Sequence, residues 1–439
     1  MSEGSTRESL LRAAATSTDE VAKVAELRAA IPVSTAGIYL NAGSNGPLPR
    51  EVDAAMRQVH EQELATGRGS EHLMDDVEVR VNELRGVFAS VLATDLELVA
   101  VAHSTTEAVM RCVLAVGLKP GDRVITLDEE YPAIRGSLSA HAARSGATVV
   151  TVSARDERGA IATDEEIAAR VAELLVPPTR LMVISRVSWI SGRILPLELI
   201  LPQARAAGVI SIVDGAQSVG AMLDSADALD PDALAFPSQK WLLGIEGLAG
   251  LRISRRALDA GHLQSPIGGF LAFREPALDG IGVMHEDARR FQTSGFARPA
   301  LVGAARAAGW LSMQVGLPWA VARAGRLARS FSDGAAAIAG VELLAGPGRH
   351  ATIVALRVRG WEASQLVEEF SRRAFAVTRR VPGILATAAR PASHPALRTS
   401  WGFWNTEEEV ERMLELLALF AAQTPDSLPK RPAIEIIQR

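Results

Sequence analysis

The 439-residue chain predicts an α/β fold: a large domain built on a mainly parallel, helix-covered sheet, then a smaller α+β domain. Three observations predict it. Apolar runs without polar alternation recur between about residues 98 and 254, as in strands buried on both faces. Helical stretches separate them, as parallel strands require. After about Leu311 the texture changes to long Ala/Arg-rich helical segments around two strand candidates, residues 352–358 and 374–378. The length also exceeds what one compact core accommodates. The expected division is an N-terminal helical arm (1–37), a large domain (38–310) and a small domain (311–439).

Residues 7–30 read as a helix, with apolar positions at Leu10, Leu11, Val21, Val24 and Leu27. A short strand, Ile38-Tyr39-Leu40, leads into a Gly/Pro/Asn-dense loop over residues 41–49, and a helix resumes over 51–64. The buried-strand runs are 98–101, 124–127, 148–150, 181–184, 210–213 and 233–236. Thr163 and Glu166 are spaced as a capping box for a helix reaching Leu175. The helix over 196–207 stops at Gly208, a C′ glycine. A strand-like stretch over 399–404 precedes a last helix after Asn405.

Composition narrows the function classes. A net charge of −5 with no basic run gives no footprint for nucleic acid. No apolar stretch reaches the ~20 residues of a membrane span, and acidic residues interrupt the N-terminus, so neither a span nor a signal peptide is expected. Cys112 is the only cysteine, which excludes an internal disulfide and suits a reducing cytoplasm. The eight histidines show no metal-ligand spacing, so no zinc site is expected.

Ligands of open α/β sheets bind beyond the carboxyl ends of the strands. Five polar clusters follow predicted strands: His103-Ser104-Thr105-Thr106-Glu107, Asp128-Glu129-Glu130-Tyr131-Pro132, Arg186-Val187-Ser188-Trp189, Asp214-Gly215-Ala216-Gln217 and Pro237-Ser238-Gln239-Lys240-Trp241. All five belong on one edge of one sheet. Each has a plain alternative: Ser104 with Glu107 is also a capping box, Asp214 a turn residue, Lys240 a surface charge, and Tyr131 a packing residue. Those alternatives must hold together, in this order, to account for the pattern.

The clusters match what pyridoxal 5′-phosphate (PLP) requires. Ser104, Thr105 and Thr106 at a helix start offer amides and hydroxyls to a phosphate. Asp214 can keep a pyridine nitrogen protonated, so that the ring draws off electrons. Gln217 can reach the phenolic oxygen, and Tyr131 can stack on the ring. Lys240 would hold the aldehyde covalently and later serve as general base at the substrate's Cα.

The chain resembles the class V, cysteine-desulfurase-like PLP enzymes of the aspartate-aminotransferase fold, from about Ile38 to Met413. Val213-Asp214-Gly215-Ala216-Gln217-Ser218 is similar to the family's most specific motif. Ser238-Gln239-Lys240-Trp241-Leu242-Leu243-Gly244 resembles its lysine motif, and Ile38-Tyr39-Leu40-Asn41-Ala42-Gly43 its opening strand and loop. Asn405-Thr406-Glu407-Glu408-Glu409-Val410 resembles the C-terminal signature. The resemblance implies fold type I with a seven-stranded sheet, a homodimer, and Ser238 among the cofactor contacts. It implies Arg398 for the substrate α-carboxylate and Asn41 beside the substrate. It also implies that Ser294, in Arg290-Phe291-Gln292-Thr293-Ser294-Gly295, reaches the partner subunit's cofactor phosphate.

The chain departs from the family at Gln239 and Tyr131, where many members have histidine, and at Trp189, where asparagine or serine is common. Cysteine desulfurases also need a mobile cysteine in the second half of the chain, and residues 113–439 contain none. Within the family, the segment Ser185-Arg186-Val187-Ser188-Trp189-Ile190-Ser191-Gly192-Arg193-Ile194-Leu195-Pro196-Leu197, together with Thr378-Arg379-Arg380 and Arg398, resembles the cysteine/cystine C–S lyases. That resemblance implies β-elimination from a small cysteine S-conjugate, with Trp189, Arg379, Arg380 and Arg398 around the substrate. Related actinobacterial enzymes tailor such conjugates in antibiotic pathways, some by decarboxylation-linked deamination. The alternatives on the same site are a class V aminotransferase, a decarboxylating deaminase and an isopenicillin-N-epimerase-like amino-acid epimerase. A degenerate, non-catalytic fold is disfavoured by the retention of both Lys240 and Asp214.

Overall fold

The computed structural model describes residues 18–69, 72–156, 159, 161–277, 282–345, 350–383 and 393–428. The expected helix over 7–30 is seen as Thr18–Ala30; residues 7–17 lie outside the described residues.

The strands, in chain order, are β1 (Ile38–Tyr39), β2 (Val99–Ala102), β3 (Arg123–Leu127), β4 (Thr148–Val152), β5 (Thr179–Ser185), β6 (Ile210–Asp214), β7 (Ala233–Pro237), β8 (Ala249–Ile253), β9 (Phe273–Glu275), β10 (Val283–Met284), β11 (Val341–Leu343), β12 (Ile353–Val358), β13 (Ala376–Val377), β14 (Arg379–Val381) and β15 (Ala396–Ser400). Seven of them form the large sheet, in the order β2-β8-β7-β6-β5-β3-β4. Only β8 runs against its neighbours. The sequence reading missed it, because Ala249-Gly250-Leu251-Arg252 carries a glycine and an arginine within the strand. Gly250 is required there: a Cβ would sit 2.2 Å from the Phe236 ring.

Period-2 alternation sends the two faces of the sheet into two cores. Val99, Val101, Ile125, Leu127, Met182, Ile184 and Phe236 point to one. Ala100, Val124, Leu181, Val183, Ile212, Ala235 and Leu251 point to the other. Helix Thr105–Ala115 covers the second face and carries Cys112, fully buried. The capping box at Thr163 forms, though its helix stops at Ala172. Gly208 takes the left-handed φ of +68° expected of a C′ glycine.

A second sheet, β11-β12-β15-β14, is antiparallel and packs on helices Leu317–Ala336, Ala363–Ala374 and Glu407–Ala422. Arg398 was expected ahead of a strand over 399–404. It lies instead in the middle of β15, and the chain turns after Ser400. The candidate over 374–378 shrinks to β13, which pairs in parallel with β1. The opening strand is thus hydrogen-bonded to the C-terminal part of the chain. Two arginines strengthen that attachment. Arg28 donates to the Trp404 carbonyl and Glu409. Arg323 pairs with Glu20 and Glu407.

Candidate active site

Strands β2, β3, β5, β6 and β7 share one direction, so the five polar clusters meet at one edge. A cavity of about 340 Å³ opens there, between the large sheet and the β14–β15 pair. Its lining includes Ser44, His103, Thr105, Tyr131, Ser185, Trp189, Asp214, Gln217, Lys240, Arg379 and Arg398.

At one end lies the start of helix Thr105–Ala115. Ser104 caps it by accepting from the Glu107 amide at 3.1 Å, so the plain reading of that serine holds as well. The first-turn amides have no acceptor within the helix. The Thr105 hydroxyl is buried without a hydrogen-bond partner among the described residues, and Thr106 also lines the cavity. An orphaned hydroxyl beside the positive end of a helix fits a phosphate.

Asp214 ends β6, buried, and one carboxylate oxygen accepts from the Ala216 amide at 2.8 Å. Burial raises its pKa, and the charge of Lys240 pulls it back. Lys240 follows β7, half-buried, with Nζ 6.0 Å from the centre of the Tyr131 ring. Removal from bulk water pushes its pKa down to about 8, against the pull of Asp214; Arg398 and Arg379 push it the same way as burial. The turn that presents it includes Leu243 at φ +58°, a left-handed conformation held by full burial. Tyr131 is exposed on the cavity side and meets Trp189 edge-on, with ring centres 5.4 Å apart.

The opposite wall is cationic. Arg379 and Arg398 are direct cross-strand partners in β14 and β15, so both side chains leave the same face. Arg398 is 1% exposed and donates to the Trp189 carbonyl (3.0 Å), the Ser44 hydroxyl (2.9 Å) and Asn41 Oδ1 (3.4 Å). Arg379 donates to the same Ser44 hydroxyl at 2.7 Å. Burial and then Arg379 bring the Arg398 pKa down to about 9.

Five expected site residues sit elsewhere or have other contacts. Arg380 pairs with Leu397, and strand alternation turns it away from the cavity. Ser238 is fully buried, with its hydroxyl against Gly244, where a Cβ would be 1.9 Å from it. Gln217 does line the cavity, but its amide already donates to the Gly43 carbonyl and accepts from Trp241 Nε1. Ser294 is exposed and lines a separate cavity with Glu63, Arg68 and Arg298; its carbonyl lies 3.2 Å from His103 Nε2. Asn41 holds Arg398 from behind.

Sequence reasoning assigned no role to Glu130, Ser185 or Ser44. Glu130 is 2% exposed and accepts from the Ser185 hydroxyl and the Tyr131 amide. Burial, and then the charge of Asp214, push its pKa up to about 7. The signal available was three consecutive carboxylates, Asp128-Glu129-Glu130, at the end of a buried strand. All three are buried, and Glu129 accepts from Ser188 and Ser191. Among the described residues no group of His, Cys, Asp or Glu could hold a metal ion, and no helix is long and apolar enough to cross a membrane.

The chain is similar to proteins of several activities. It is 28% identical over 411 residues to the isopenicillin N epimerase of Streptomyces clavuligerus, covering 90% of this chain and 98% of that protein. It is 25% identical to the Escherichia coli cysteine desulfurase CsdA, over 90% and 98% of the two chains. Among solved structures, the cystine C–S lyase C-DES in complex with cysteine persulfide superposes with a TM-score of 0.77 at 23% identity, covering 88% and 99%. A C-DES variant with glycine covalently linked to its PLP cofactor gives 0.79 at 23% identity, covering 89% and 98%. These superpositions share the seven-stranded α/β architecture of PLP fold type I. The aminotransferase class-V model matches residues 38–413, most of the chain including every cavity residue named above, and the protein therefore belongs to this family of PLP-dependent enzymes.

Proposed function

We propose that the protein is a carbon–sulfur β-lyase acting on a cysteine S-conjugate, releasing a thiol, pyruvate and ammonia, in the tailoring of sulfur-containing natural products. The observation that carries this reading is the state of its sulfur. The only cysteine, Cys112, is fully buried on the helix behind the sheet, and burial pushes its thiol up to about 12. With no thiolate to accept sulfur from the substrate, the sulfur leaves with its own substituent as a free thiol.

When bound, PLP supplies an aldehyde that condenses with amines and a protonated ring that draws off the electrons released at Cα. Asp214 would keep the ring nitrogen protonated. The Thr105 hydroxyl and the amides beyond Ser104 would hold the phosphate, and Tyr131 would pack against the ring. Arg398, with Arg379 beside it, binds the substrate carboxylate and fixes which Cα bond faces Lys240. Lys240, as a free amine beside the bound substrate, would take the α-proton. The Cα–H electrons form the Cα–Cβ double bond as the Cβ–S bond breaks and sulfur leaves with its pair. Water then hydrolyses the released enamine to pyruvate and ammonia. Trp189 walls the side of the cavity by the arginines.

The near-full-length match to an isopenicillin N epimerase favours a second reading, in which a proton returns to the opposite face of Cα. Holoenzyme incubated with several cysteine S-conjugates in D2O, with products identified by mass spectrometry, separates the two. Pyruvate and free thiol are expected. Recovery of substrate as its mirror-image configuration carrying deuterium at Cα, with no pyruvate, overturns the lyase.

Assembly as a homodimer belongs to the same proposal. The exposed Ser294 loop beside His103 would lie at the partner's phosphate, and light scattering of the holoenzyme should give twice the chain mass of 46.6 kDa. A reducing cytoplasm suits its single unpaired cysteine.

A further inference from the structure

We propose that Ser44 is a specificity-setting place-holder on the arginine pair: its hydroxyl occupies the position that one oxygen of an incoming carboxylate takes, and gives it up when that carboxylate arrives. This rests on reading Arg398 and Arg379 as the carboxylate site.

The geometry is that of a hydroxyl used to capacity. Ser44 Oγ accepts from Arg379 Nη1 at 2.7 Å and from Arg398 Nη2 at 2.9 Å, and it donates to Asn41 Oδ1 at 2.7 Å. One donor and two lone pairs are all a serine hydroxyl has. Two guanidiniums therefore converge on a single neutral oxygen. Among the described residues, the one charged neighbour that acts appreciably on Arg398 is Arg379, another cation. A carboxylate brings two oxygens, about four lone-pair sites and a negative charge to the same donors. It satisfies both arginines better than the hydroxyl can, and it cannot use the position between them while Ser44 fills it. A neutral ligand offers no charge to offset that exchange, so the serine filters for anions.

The surrounding loop holds the hydroxyl in place. A Cβ on Gly43 would lie 2.9 Å from Ser400 Oγ and 3.1 Å from Arg398 Nη2, and one on Gly46 would lie 2.1 Å from the Lys240 carbonyl. The Gly43 carbonyl accepts from Gln217 at 2.8 Å, and the Gly46 amide donates to the Gln239 carbonyl at 2.7 Å. Asn41 bridges to Ser400 of β15. One short loop thus touches both the arginine strands and the lysine turn.

The test is calorimetric titration of the holoenzyme with propanoate, which has the carboxylate but no amine to react, and with propanamide as the neutral control. Ser44→Ala should bind propanoate about tenfold more tightly than the native protein, the equivalent of ~1.4 kcal/mol, with propanamide still unbound. Ser44→Asp, which supplies an internal carboxylate, should bind no propanoate. Arg398→Lys should bind it more weakly. If Ser44→Ala binds propanoate no more tightly than native, or Ser44→Asp binds it as native does, while Arg398→Lys weakens it, the place-holder is overturned and the carboxylate site stands. If Arg398→Lys leaves affinity intact, the carboxylate site itself falls.

Discussion

The two walls of the cavity carry similar cations in opposite electrostatic settings. On the large-sheet wall, Lys240 has a carboxylate of its own: Asp214 pulls its pKa up against burial, and Asp214 in turn acts on a second buried acid, Glu130. On the β14–β15 wall, Arg398 is more deeply buried than Lys240 yet, among the described residues, is answered by a hydroxyl, an amide oxygen, a backbone carbonyl and a second arginine. Burying a charge without its counter-charge is costly. The first wall has its counter-charge among the described residues, whereas the second, on the proposed function, would take it from an anionic ligand. On the proposed function, the difference would separate residues that hold the cofactor from residues that receive a substrate.

That contrast can be broken most forcefully at Arg398. Arg398→Lys keeps a positive charge but loses the two-pronged donor geometry. We expect kcat/KM for amino-acid substrates to fall by the equivalent of about 2–5 kcal/mol, with the cofactor's absorbance unchanged. Equal efficiency in native and variant would make Arg398 structural and shift attention to Arg379.

The buried acid that feels Asp214 gives the next effect. Glu130 has a folded-state pKa raised from 4.5 to about 7 by burial and by Asp214. Its stabilising contribution is therefore fully present below 4.5 and lost as pH rises through 7. Glu130→Gln imitates the protonated form, so the variant should escape that loss. In urea unfolding of the cofactor-free protein at pH 8 it should exceed the native chain by on the order of 3 kcal/mol. At pH 4.5 the two should agree. A stability difference independent of pH would remove the proton from the account.

The smallest expected effect sharpens the comparison most finely. Only the neutral amine of Lys240 condenses with the PLP aldehyde, so uptake by the cofactor-free protein should accelerate as pH rises through about 8. Asp214→Asn removes the charge that raises this pKa and should move the midpoint down. Arg398→Gln removes one that lowers it and should move the midpoint up. Stopped-flow absorbance across pH reads both shifts, and a midpoint common to all three proteins would mean the walls do not act on the lysine.

The two walls also differed in how far the sequence revealed them. Strands buried on both faces announce themselves as unbroken apolar runs, so the carboxyl edge and its clusters, down to Asp214 and Lys240, could be located from spacing. The second wall depends on pairing between distant segments. That Arg379 faces Arg398 while Arg380 faces Leu397 follows from register, which no local pattern encodes. The position of Arg398 mid-strand was missed because the buried, polar β15 Ala396-Leu397-Arg398-Thr399-Ser400 does not read as a strand. Strand β8 escaped for the same reason. Ser44 and Glu130 were invisible because their roles are contacts across more than 50 residues, to Arg379 and Ser185.

One measurement bears on the central claim most directly. The chain has four lysines, Lys23, Lys119, Lys240 and Lys430. Holoenzyme reduced with borohydride, digested and mapped by mass spectrometry should carry the pyridoxyl group on Lys240, and Lys240→Ala should carry none and lack activity. A stoichiometric label on any of the other three, or a reducible adduct with retained turnover in Lys240→Ala, would contradict the account.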